Sequence, residues 1–62
     1  MTTRPRILLV DDDVSLQRTV AVLLRSHGYD VEVAGTGAAA LEAQATRPAD
    51  VIVLDLGLPD LE

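Results

Sequence analysis

The chain has 62 residues, of which 48% are hydrophobic and one, Tyr29, is aromatic; a chain this short buries only about 60% of its unfolded surface, room for one small core of Val, Leu, Ile and Ala, and its composition is not a disordered one. Ten acids stand against five arginines, scattered at positions 4, 6, 18, 25 and 47, and no lysine, a formal charge of −5 that repels a phosphate backbone and speaks against direct nucleic-acid binding by this segment. Without cysteine there are no disulfides or thiolate metal sites, and the apolar runs fall far short of the roughly 20 residues of a membrane span or of a signal-peptide core, so a cytoplasmic protein that is neither inserted nor exported is expected.

In chain order, Ile7-Leu8-Leu9-Val10 is a continuous apolar run that reads as a strand and leads straight into Asp11-Asp12-Asp13. Val14 to Ser26 has helical spacing, with Leu16, Val20, Leu23 and Leu24 forming an apolar stripe and Gln17, Arg18 and Arg25 off it. Asp13 suits the N-cap of this helix. His27-Gly28 ends it, the glycine fitting a left-handed residue just past the end, and His27 reads as a helix-end residue rather than a catalytic base. Tyr29-Asp30-Val31-Glu32-Val33 alternates with period two, as an edge strand with one exposed face would.

Gly35-Thr36-Gly37 lacks the third glycine of a dinucleotide fingerprint and the Gly-Lys-Ser/Thr of a phosphate loop, so it reads as a turn, with Thr36 as the next N-cap. Ala38 to Thr46 is an alanine-rich helix with Leu41 and Ala45 on one face, suited to close packing on a sheet, and Pro48 stops it. Val51-Ile52-Val53-Leu54 is apolar on both faces, like an interior strand of a covered parallel sheet, and runs into Asp55. The alternation strand, helix, strand, helix, strand predicts an α/β domain with parallel pairing and right-handed crossovers.

Two apolar strands thus end in acids. If they are neighbours in a parallel sheet, their backbones lie about 4.8 Å apart and at least three carboxylates share one rim. Like charges so placed either force a proton onto one of the group or hold a cation, and at neutral pH the cation is the better answer. Oxygen-only donors, few in number, suit Mg2+ better than a calcium cage. The alternative, that these aspartates only cap helices, needs one acid per helix start and not three in a row plus a fourth.

Ile7 to Asp13 and Val53-Leu54-Asp55-Leu56-Gly57-Leu58-Pro59-Asp60 resemble the receiver domain of two-component response regulators, as do Gly28-Tyr29 and the spacing from Gly37 to Leu41; the likeness runs from about Arg6 to the last residue. It implies a flavodoxin-like, CheY-like doubly wound parallel sheet, here cut to three strands in the order 2-1-3 with both acidic ends at the carboxyl edge. It also implies that Asp55 is the phosphoacceptor, that Mg2+ is held by Asp11, Asp12, Asp55 and the Gly57 carbonyl, with Asp11 acting mainly through a bound water, and that Pro59 and Asp60 shape the acceptor loop. The donor would be a phosphohistidine on a sensor histidine kinase. Leu-Gly-Leu-Pro-Asp after the acceptor is most like the OmpR/PhoB class, whose second domain is a winged-helix DNA binder.

On that resemblance residues 1–62 make a partial receiver domain, its N-terminal half, with no output domain. A receiver catalyses its own phosphorylation and dephosphorylation, so the resemblance implies a switch and not an enzyme; the hydroxyl, lysine and aromatic residues that the family uses later in its sheet have no counterpart here, so this segment alone is not expected to signal in the usual way. A hydrolase with an aspartyl-phosphate would want a second Asp two positions after the nucleophile, where Gly57 stands. The remaining alternative is a truncated or engineered half-domain without signalling activity, self-associating or pairing with another chain through the exposed edge of its third strand.

Overall fold

The computed structural model describes residues 4–54. Five elements alternate: β1 (Arg6–Val10), α1 (Val14–Ser26), β2 (Asp30–Ala34), α2 (Gly37–Thr46) and β3 (Val51–Leu54). They form a parallel three-stranded sheet in the order β2-β1-β3. Moving from β1 outward to β2 and back across to β3 with crossovers of one hand puts successive helices on opposite faces. The core divides accordingly. On one face Ile7, Leu9 and Val31 pack with Ala21, Val20 and Leu24 of α1; on the other Leu8, Val10 and Ala34 pack with Ala40 and Ala43 of α2.

This accounts for the unbroken apolar run of β1. Covered on both faces, it has four consecutive buried residues from Ile7 to Val10, while β2 at the edge keeps Glu32 half-buried and Val33 exposed. Helix ends are set by local chemistry. The Asp13 carboxylate accepts from Leu16 N, the Thr36 hydroxyl accepts from Ala39 N, and His27 caps the C-terminus of α1 before Gly28 at φ +90°, the left-handed conformation that glycine adopts without steric cost.

Two expected helix faces are rotated in the structure. On α1 the sheet-facing residues are Val20, Ala21 and Leu24 with Gln17 half-buried beside them, whereas Leu16 and Leu23 are exposed. On α2, Ala40 and Ala43 face the sheet; Leu41, 71% exposed, and Ala45 do not. Close approach of a helix to a sheet selects small side chains at the line of contact, so bulk marks the flank and not the centre. Leu16 and Leu41 instead line two clefts on either side of β3.

At the amino edge Arg6 ties the layers together. Its backbone N–H donates to Asp50 Oδ2 at 2.8 Å, its carbonyl accepts from Asp50 N at 2.8 Å, and its guanidinium donates to the Arg47 carbonyl at 3.2 Å and pairs with Asp30 and Glu32. The lines of the sheet are thus fixed at the end opposite the acidic rim.

Candidate functional site

The register pairs Val10 with Leu54, the last residues of β1 and β3. Asp11 follows the first and Asp55 follows the second in sequence. Val10 is fully buried, and Asp11 is 7% exposed, the one buried charged residue among those described. Its backbone N–H donates to the Ala34 carbonyl at 3.0 Å, which carries the β1–β2 ladder one step past the strand. A carboxylate held this deep needs partners or a cation.

One partner is internal. Asp11 Oδ1 accepts from Asp13 N at 2.9 Å, and among the described residues no donor meets Oδ2. Asp12 is exposed, and its carboxylate takes part in no hydrogen bond or ion pair among the described residues. Asp13 turns away to α1: its Oδ1 accepts from Leu16 N at 3.1 Å and its carbonyl from Gln17 N at 2.9 Å. Three consecutive aspartates therefore divide their work. Asp13 is the helix cap expected of it, while Asp11 and Asp12 keep carboxylate oxygens available at the rim.

Those are hard oxygen donors of the kind that Mg2+ accepts. Among the described residues no three His, Cys, Asp or Glu side chains come together to hold a metal; Asp11 and Asp12 are two, and Asp55, Gly57, Pro59 and Asp60 lie outside the described residues. Beside Asp11 a cleft of about 340 Å³ opens between α1 and β3, lined by Leu9, Leu16, Val53 and Leu54.

One residue at the site was not singled out from sequence. Gln17 donates from Nε2 to the Asp11 carbonyl at 3.1 Å. A glutamine in the first turns of a helix reads as a solvated surface residue, and only the rotation of α1 brings it under the loop.

A family model described as the response regulator receiver domain matches residues 7–62. The transcriptional regulatory protein KdpE of Mycobacterium tuberculosis is 47% identical over 55 residues, which cover 89% of this chain and 24% of that protein. The DNA-binding response regulator MtrA of the same organism is 45% identical over 60 residues, covering 97% and 26%. Of solved structures, the chemotaxis response regulator CheY4 of Vibrio cholerae superposes with a TM-score of 0.91 at 36% identity, over 95% of this chain and 49% of that one. The chain spans about a quarter of the length of these curated relatives.

Proposed function

Since this chain belongs to the response regulator receiver domain family, we propose that it is the phosphoacceptor module of a two-component relay, taking a phosphoryl group from a sensor histidine kinase onto Asp55. The observation that carries this is the buried Asp11 beside the exposed Asp12 at the end of a strand in register with the one that leads to Asp55. The Asp55 carboxylate would attack phosphorus as the bond to the kinase histidine nitrogen breaks, the bonding pair returning to that nitrogen of a ring protonated at its other nitrogen, which leaves an aspartyl phosphate on this chain and a neutral imidazole on the donor. Phosphoryl transfer asks for alignment and charge neutralisation more than for covalent chemistry by the protein.

Mg2+, held by Asp11, Asp12, Asp55 and the Gly57 carbonyl, would supply the positive charge against which the phosphoryl oxygens are placed. The chain's own part is to fix the donors: the ladder bond to Ala34 and the turn to Asp13 hold Asp11, and the cap at Asp13 aims the loop. Pro59 and Asp60 would shape the acceptor loop. The module is a switch that forms and loses its own acyl phosphate, not an enzyme with a turnover substrate. Relatives named as a transcriptional regulatory protein and a DNA-binding response regulator support transcription control as the output, through a DNA-binding domain rather than through these acidic residues. No described helix is long and apolar enough to cross a membrane; a cytoplasmic setting is part of the proposal.

Intact-mass spectrometry after incubation with acetyl phosphate and Mg2+ tests the reading. The expected result is one added phosphoryl group, absent with EDTA and absent in Asp55→Asn. Failure of the unaltered chain to gain the group under any of these conditions would favour the second reading, a half-domain acting through association. That reading has its own support, the half-exposed apolar side chains along all of β3.

A further inference from the structure

We propose that Gln17 is a positioning residue for the acidic site, its side-chain amide clamping the Asp11 carbonyl so that the Asp11 and Asp12 carboxylates are preset for a divalent cation. The inference rests on the reading of those two residues as metal ligands. Gln17 sits in the sheet-facing row of α1 with Val20, Ala21 and Leu24, half-buried. A polar side chain there is costly unless bonded, and its bond goes to the residue where β1 ends, Nε2 to Asp11 O at 3.1 Å. A carbonyl can only accept, so the amide must present its NH2 group.

With that bond Asp11 is held at three points: its N–H by Ala34, its Oδ1 by Asp13 N and its carbonyl by Gln17. Fixing the carbonyl fixes the plane of the Asp11–Asp12 peptide, since that unit is rigid. The direction in which Asp12 leaves the strand is then set by α1 and not by the loop alone. The chemistry of the side chain matters as much as its reach. A glutamate would set an acceptor against an acceptor, and a lysine or arginine would bring a cation to compete with the metal; a neutral amide donates without altering the charge of the site.

The test is a Mg2+ titration of the 62-residue chain followed by 15N, 1H and carbonyl 13C NMR, for the unaltered protein, Gln17→Met, which keeps length and removes the donor, and Arg18→Ala as an exposed neighbour. Gln17→Met is expected to weaken Mg2+ binding about tenfold, the lower end of what outer partners of metal ligands contribute, and to shift the Asp11 carbonyl resonance before any metal is added. Arg18→Ala should change neither. Equal Mg2+ affinity in Gln17→Met and the unaltered chain would overturn the role of Gln17 while leaving the metal reading intact. No response of the unaltered chain to Mg2+ would overturn the metal reading and the proposal with it. Should Gln17→Met fail to fold, the coupling across the hydrogen bond between Gln17 Nε2 and the Asp11 carbonyl carbon, measured in the unaltered chain, decides: its presence supports the clamp, and its absence overturns it.

Discussion

Asp13 and Gly28 bracket α1, and each does so by one local feature that a substitution can remove. The Asp13 carboxylate satisfies the N–H of Leu16, one of four donors that a helix start leaves open. Asp13→Ala is expected to destabilise the chain by about 1 kcal/mol, within the range of lost N-caps, as a lower midpoint in urea with an unchanged slope. Gly28 has φ +90° with nothing within 4 Å of where a Cβ would stand, so Gly28→Ala carries only the backbone penalty of a left-handed L-residue, about 1–2 kcal/mol. An equal or higher midpoint for Gly28→Ala would show that the turn relaxes to another conformation. Asp11 and Asp12 were legible as candidate site residues because acids at the end of an apolar strand have no packing reason to be there. Gln17 was not, because nothing distinguishes a buried, bonded amide from a solvated one until the helix is placed.

For whole elements, limits were easier to foresee than faces. α1 runs from Val14 to Ser26 as its spacing predicts, and β1 ends where its acids begin. Which side of each helix meets the sheet depends on a distance between layers, and that distance is not written in any one segment. In α1 and α2 the leucines carry the stronger hydrophobic signal, yet of the α1 leucines only Leu24 packs beside the buried Ala21, and in α2 Ala40 and Ala43 occupy the contact. The rotation has a measurable consequence. Leu41→Gln, at 71% exposure, should leave stability within about 0.5 kcal/mol, as surface changes do. Leu8→Ala, at 2% exposure, should cost about 2–5 kcal/mol, enough to unfold so small a domain. Thermal melts by circular dichroism separate the two, and a large loss in Leu41→Gln would mean that α2 uses its leucine face after all.

At the scale of the whole sheet, the described elements are unevenly secured. The sheet's amino edge is locked by Arg6, whose guanidinium and backbone reach Asp30, Glu32, Arg47 and Asp50. β3, by contrast, meets β1 alone among the described elements, and Val51, Ile52, Val53 and Leu54 are 42–52% exposed. Among the described residues the outer edge of β3 is unpaired; an apolar strand so placed is a template for another strand, and clefts of about 200 and 340 Å³ flank it on the two faces, so a docking segment would find both a ladder and room for side chains. The 62-residue polypeptide is therefore expected to self-associate at micromolar concentration, and Ile52→Lys, which sets a charge in the cleft on the α2 side, should shift it toward monomer. Sedimentation velocity across a concentration series checks this. A unaltered chain that is monomeric and cooperatively folded at those concentrations would show that β3 is stable with one neighbour. Dimers that persist in Ile52→Lys would place the contact elsewhere, with the exposed Val22 and Leu23 of α1 the next surface to alter.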